Sequence, residues 1–286
     1  MTTDQRDMSP LRAVLLGCGD LGIRVGTALL ASGHEVTGVR RTVAALPEGF
    51  AGVSADLANG DVPDLAADLL VITMTPDRRD PTGYRTTYVD GVRHGLEAVL
   101  RAGAPRRAVL VSSTSVYGDL EGDLDERTVV APQADRPKIL LESEALFHEA
   151  IPHGSILRLS GLYGSPDNRL VRTVREGANP DPGRWTNRIH RQDAAAAIVH
   201  LLTMGEEPAA LYVGTDDAPA LAGDVRDFVA DELGVDRPSP TGALEPHGRR
   251  MRNARLRATG LQLRYPTYRE GYRAQLLVDG ESPRGG

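Results

Sequence analysis

Residues Leu11–Gly26, LRAVLLGCGDLGIRVG, fix an order of local structure that few folds accept. Ala13–Leu16 is an apolar run with the length of a buried strand. Gly17, Gly19 and Gly22 follow in G-x-G-x-x-G spacing, and Leu21–Ala31 then repeats its apolar residues at a helical period. Strand, glycine turn, helix is the context in which this spacing has physical meaning. The first glycine permits a tight turn, the second lets the backbone approach a diphosphate, and the third lets the helix pack close to the strand. Free N–H groups at the helix N-terminus, together with its partial positive charge, favour an anion there. Gly17, Gly19, Asp20, Leu21 and Gly22 are therefore read as a dinucleotide-binding turn. The competing reading is an ordinary strand-to-helix turn.

The next segment bears on that choice. Gly33–Arg41, GHEVTGVRR, reads as a turn and a second strand that ends in two arginines. A fold that binds NAD usually carries an acid here for the ribose 2′-hydroxyl, whereas an arginine suits the 2′-phosphate of NADP. No acid stands at Val39, Arg40 or Arg41, so Arg40 and Arg41 point to NADP, with NAD as the alternative. The plain reading of the pair is a solvated strand end.

Apolar runs and helical stretches go on alternating. Leu69–Thr73, Arg107–Ser112, Ser155–Leu159 and Leu211–Val213 read as strands. Tyr88–Leu100, Pro137–Ala150, Arg169–Glu176, Asp193–Met204 and Val225–Leu233 read as helices, and Asp236–Arg250 as a loop. Repeated alternation implies an α/β fold, a Rossmann-type doubly wound parallel sheet with right-handed crossovers and a small C-terminal substrate lobe. The expected division is a dinucleotide-binding domain over 1–162 and an interleaved substrate lobe over 163–279, with 280–286 a disordered tail.

Composition excludes several classes of function. A net charge of −6 argues against a nucleic-acid partner. No apolar run approaches the roughly 20 residues that span a bilayer, and MTTDQRDMSP lacks the apolar core of a signal peptide. The one cysteine, Cys18, cannot form an internal disulfide, which fits a reducing cytoplasm. The expected partner is a small-molecule substrate, with a homodimer left open and no metal assigned. Of the 33 basic residues, Lys138 alone is lysine.

Ser112–Gly118, SSTSVYG, directly follows a strand. Hydroxyls there can donate to an oxygen that becomes negative in a reaction, or can satisfy their own turn. Downstream of a glycine fingerprint, this segment resembles the extended branch of the short-chain dehydrogenase/reductase superfamily, also called the NAD-dependent epimerase/dehydratase family. Further pieces match in order: Asp56-Leu57, the R-x-x-x-x-Y-G stretch Arg158–Gly164, the N-x-I-H-x-x-D segment Asn187–Asp193, and Asn253–Tyr272. This last stretch is similar to the C-terminus of an atypical bacterial subgroup. The resemblance covers nearly the whole chain and says little about substrate.

The resemblance implies contacts with adenine at Asp56 and Leu57, and with the nicotinamide ribose at Met74 and Thr75. It implies a catalytic hydroxyl at Ser113. Lys138, four residues before Glu142, matches the family's lysine, which holds the ribose hydroxyls and lowers the pKa of a neighbouring acid. The family's tyrosine belongs four residues before that lysine, and there stands Ala134. No tyrosine occurs between Tyr117 and Tyr163. Tyr117 is the stronger candidate to replace it, against a packing role for the same ring. Thr114-Ser115 departs from the Asp-Glu pair of sugar-nucleotide 4,6-dehydratases. His190 reads as structural, and Arg184, Trp185 and Arg188 fall in the substrate lobe. Three functions remain open: an NADP-dependent oxidoreductase acting on a small carbonyl, alcohol or sugar-like substrate; a cofactor-retaining epimerase, lyase or isomerase; and a non-catalytic NADP-sensing or partner-binding protein.

Overall fold

The structure, a computed structural model, describes residues 9–165 and 169–278; the tail expected to be disordered, 280–286, lies outside them. Seven strands form the central sheet: β1 (Arg12–Leu16), β2 (Glu35–Arg40), β3 (Ala51–Ser54), β4 (Leu69–Ile72), β5 (Arg107–Ser113), β6 (Ser155–Leu159) and β7 (Leu211–Gly214). Their order is β7-β6-β5-β4-β1-β2-β3. The pairs β1–β2, β1–β4, β2–β3 and β4–β5 are parallel, with Val14 opposite Thr37 on one side and Leu70 on the other. Strand order reverses at β1, the switch point where open α/β sheets bind ligands beyond their carboxyl ends. The fold is the α/β Rossmann-type architecture that the alternation implies.

The chain passes back and forth between two compact units. The first holds residues up to Val111, Lys138–Ile156 and Ile198–Ala210. The second holds Ser112–Pro137, Leu157–Ala197 and the residues from Leu211 on.

In the first unit, β1 and β4 are buried along almost their whole length, as parallel strands covered on both faces require. Helices α1 (Asp20–Ala31) and α2 (Gly91–Ala102) turn Val25 and Leu29, and Val92, Leu96 and Val99, into this core. The helix expected from Tyr88 begins earlier. A helical run starts at Pro81, with Asp80 accepting from the Gly83 N–H as its cap, and passes through a π turn over Thr86–Asp90 into α2. Helix α3 (Asp135–Ala150) carries Pro137 in its first turn.

The second unit has its own core, in which Val225, Phe228 and Val229 of α4 (Ala222–Leu233) meet Tyr268, Tyr272 and Leu276 of α5 (Tyr268–Val278). The segment Asp236–Arg250, expected as a loop, contributes two short parallel ladders. Ser239–Thr241 pairs with Ala178–Pro180, and Arg249–Met251 with Gly122–Leu124. Three-residue strands containing proline and glycine carry no alternation to read; their partners set them. Among the described residues, no helix is long and apolar enough to cross a membrane.

Candidate functional site

A cavity of about 500 Å3 opens in the first unit over the glycine turn. The three glycines there have three different surroundings. Gly17 has φ +75°, and a side chain on it would meet Met74 Cγ at 2.6 Å. A Cβ on Gly19 would meet nothing closer than the Gly17 carbonyl at 3.9 Å, so this backbone faces free space at the head of α1. A Cβ on Gly22 would stand 3.0 Å from Thr73 Oγ1 and 3.5 Å from Cys18 Sγ, which is the close contact between helix and strand. Thr73 Oγ1 in turn donates to the Gly17 carbonyl at 3.2 Å and ties β4 to the turn.

Gly17, Gly19, Arg40, Arg41, Asp56, Leu57, Met74 and Thr75 all line this cavity. Asp20, Leu21, Gly22 and Lys138 are not among its lining residues. Asp20 and Leu21 open helix α1, where Asp20 pairs with Arg24 at 3.3 Å. Arg40 donates to the Cys18 carbonyl at 3.1 Å. Arg41 meets Asp77 through two nitrogens at 2.6 and 2.9 Å, and that contact raises the arginine's pKa and lowers the carboxyl's. Asp56 accepts from Ala58 N–H and caps the turn Leu57–Asn59. The Cys18 thiol is fully buried, and desolvation pushes its pKa up to about 11.

Sequence reading did not single out Asp77, Arg78, Thr82 or Thr86, which also line the cavity. They lie on the connection from β4 to α2, a stretch without apolar period. Its legible signal is Asp80-Pro81, a cap followed by a first-turn proline.

Lys138 is exposed on the second turn of α3. One turn on, Glu142 receives both terminal nitrogens of Arg85 at 2.8 Å, which lowers its carboxyl pKa.

In the second unit, Ser113 ends β5 and its Oγ accepts the Ser115 N–H at 3.1 Å. This bond fixes the rotamer and leaves the hydroxyl hydrogen as a donor. Tyr117 is 1% exposed. Its hydroxyl donates to the Asp125 carbonyl at 2.8 Å and accepts from Arg158 at 3.2 Å, and the same guanidinium lies over its ring. Tyr163 is also interior, packed between His190 and Tyr272, and burial pushes its phenol far up.

The N-x-I-H-x-x-D segment is a structural fastener. Asn187 donates to the Arg249 carbonyl and accepts from Met251 N–H, at 3.0 and 2.7 Å, while Asp193 accepts from the N–H groups of Arg264 and Tyr265 at 2.7 and 2.9 Å. Arg188 is buried beneath Tyr268 and bonds Thr186.

A cleft of about 770 Å3 lies within the second unit, lined by the basic Arg184, Arg226, His247 and Arg249, the acidic Asp119, Glu121 and Asp181, and the uncharged Trp185. Asp181 pairs with His247 at 3.1 Å. Arg249 has its pKa lowered by burial and by the like charge of Arg184. The Nε of Arg226 is buried without a partner.

No family profile matches the chain. Over 205 residues it is 32% identical to Protein YeeZ of Escherichia coli strain K12, which covers 67% of this chain and 73% of that protein. A solved structure from Methylobacillus flagellatus, named provisionally as an NAD-dependent epimerase/dehydratase, is 37% identical. Its TM-score is 0.82, over 96% of this chain and 100% of its own. The UDP-glucuronic acid 4-epimerase of Bacillus cereus, solved with NAD, shares the fold at 17% identity, with a TM-score of 0.75 over 94% of this chain and 99% of its own. With the fingerprint, strand order and motifs all in place, the chain belongs to the extended branch of the short-chain dehydrogenase/reductase superfamily, the NAD-dependent epimerase/dehydratase family.

Proposed function

We propose that the first unit's cavity binds a nicotinamide dinucleotide, with NADP favoured, and that the chain is an oxidoreductase of the extended short-chain type. The observation that carries this reading is the division of labour among Gly17, Gly19 and Gly22. One is left-handed, one is open toward the cavity, and one is pressed against Thr73. That is what a diphosphate-binding turn requires. Arg40 and Arg41 beside the cavity, with no acid at the end of β2, support NADP. Bound there, the dinucleotide would supply or accept the hydride.

The chain's own residues then bind and orient. The Ser113 hydroxyl donates to the substrate oxygen, and Lys138 holds ribose hydroxyls. Tyr117 shares its oxygen with Asp125 and Arg158, so water rather than this phenol exchanges the proton. The substrate class is a small carbonyl or alcohol carrying a carboxylate or phosphate. Arg184 and Arg249 support this: they stand as like charges on the second unit's cleft, and among the described residues neither has a carboxylate within ion-pair distance. The internal commitment of Tyr117, with alanine at position 134, favours as second reading a dinucleotide-binding protein that catalyses nothing.

The test is calorimetric titration of cofactor-free protein with NADP+ and NAD+, followed by a screen of anionic aldehydes and ketones with NADPH absorbance as readout. Preference for NADP+ and consumption of NADPH support the first reading. Binding without turnover supports the second. Binding of neither dinucleotide overturns both.

A further inference from the structure

Strand β1 lies between β2 and β4, so the chain leaving β2 and the chain leaving β4 emerge on opposite sides of the glycine turn that follows β1. Two charged residues bridge that turn. Arg41, just past β2, donates from both terminal nitrogens to Asp77, in the segment after β4. Their side chains are 60% and 66% exposed, and both residues line the cavity. Packing does not force them together; charge does. The neighbouring cations are committed elsewhere. Arg40 is bound to the Cys18 carbonyl, and Arg78 to Asp80. Arg41 is thus the arginine whose partner stands across the turn and is held by an exposed contact.

Resting on the reading that this cavity takes a dinucleotide, we propose that Asp77 determines cofactor specificity, because its carboxylate occupies on Arg41 the fork that the 2′-phosphate of NADP would take. Carboxylate and phosphate present the same paired oxygens to a guanidinium. NADP therefore binds by exchanging one anion for another on Arg41, whereas NAD binds with the Arg41–Asp77 clasp closed. An exposed pair is weak enough to be displaced by a doubly charged phosphate, and its cost is charged to NADP alone. Asp77 holds the preference for NADP below what the arginines would otherwise give.

The experiment compares wild type with Asp77→Asn by calorimetry, using adenosine 2′,5′-bisphosphate against AMP and NADP+ against NAD+. Within each pair the ligands differ by the 2′-phosphate. Asp77 is exposed, so asparagine leaves the fold intact, which a thermal melt checks. The bisphosphate and NADP+ are expected to tighten about three- to six-fold, while AMP and NAD+ change by less than about two-fold. In an Arg41→Ala background the Asp77→Asn effect is expected to vanish. If it persists there, Asp77 merely repels anions and the exchange is wrong. An unmoved NADP+ to NAD+ ratio in a protein that binds both overturns the exchange and leaves the cavity assignment standing. A wild type that binds none of the four ligands overturns the cavity assignment, and the exchange with it.

Discussion

The Cα of Met74 lies 2.8 Å from the point where a Cβ on Gly17 would stand. The turn after β1 and the chain leaving β4 are therefore in contact at the backbone, and Gly17 is needed for space as well as for its φ of +75°. Gly17→Ala is expected to destabilise the first unit by about 2–4 kcal/mol, from left-handed strain and overpacking together. Gly19→Ala, whose Cβ points into open space, should melt within about 1 kcal/mol of wild type and yet lose at least about ten-fold in dinucleotide affinity, because the methyl group stands where a diphosphate would lie. Thermal melts and calorimetry on the two variants separate fold from binding. Equal effects of both substitutions on stability would contradict the assignment of roles.

Removing the Tyr117 hydroxyl tests whether this tyrosine replaces the missing one. Tyr117→Phe leaves the Asp125 carbonyl and the Arg158 guanidinium each short of a buried partner. A stability loss of about 1–3 kcal/mol is expected. Turnover of a genuine substrate, at a temperature where both proteins are folded, should stay within about two-fold, since general acid–base catalysis is worth far more. A fall in kcat of a hundred-fold or greater, with binding intact, would make Tyr117 the proton donor after all.

Lys138 gives the opposite pattern. It is exposed on α3, so Lys138→Ala should change the melting midpoint by no more than about 1 °C. Its proposed hold on the ribose hydroxyls predicts weaker dinucleotide binding and a loss of turnover of at least about ten-fold. Unchanged turnover would remove Lys138 from the machinery.

Strands β1 and β4 and the glycine turn were legible because burial on both faces leaves unbroken apolar runs, as at Leu69–Ile72, and because the turn needs glycines at fixed offsets, whereas β3, exposed along most of its length, was not read as a strand. What escaped has no local signal. The strand Arg249–Met251 pairs with Gly122–Leu124, more than a hundred residues away, and three residues cannot show a period. The charges on the second unit's cleft, Arg226 and Arg249, stand among 32 arginines that look alike in sequence. Only folding sorts those with carboxylate partners from those without. The reverse holds for Asn187–Asp193. Its motif was visible, but its hydrogen bonds to residues 249–251 and 264–265 show fastening rather than chemistry.

Cys18 should be chemically silent in the native protein. Its thiol is buried against Gly22 and Gly38, and burial raises its pKa to about 11, so almost no thiolate exists near neutrality. At pH 8 an aromatic disulfide reagent is expected to label it only at the rate at which the first unit opens, and at once in denaturant. Rapid labelling under native conditions would mean that the turn is open, and with it the packing that places Gly17 and Gly22.

Asp216 makes stability fall as pH rises. It is 1% exposed; its Oδ2 has no hydrogen-bond partner and the buried Arg188 compensates it only in part, so desolvation raises its pKa to about 7 from 3.8. The folded protein therefore keeps a proton that the unfolded chain gives up between pH 3.8 and about 7. Across that window folding loses up to about 4 kcal/mol from this group; the loss is absent below the unfolded pKa and complete above the folded one. Many surface carboxyls are shifted downward by arginines and act in the opposite direction at lower pH, as Asp68 does beside Arg12. The comparison that isolates Asp216 is accordingly the difference between wild type and Asp216→Asn, measured by denaturant midpoints from pH 4.5 to 8. The variant should gain on wild type steadily as pH rises to about 7 and then hold level. A difference that does not change with pH would mean that Asp216 is ionised in the folded protein throughout, held by Arg188 more strongly than desolvation opposes it.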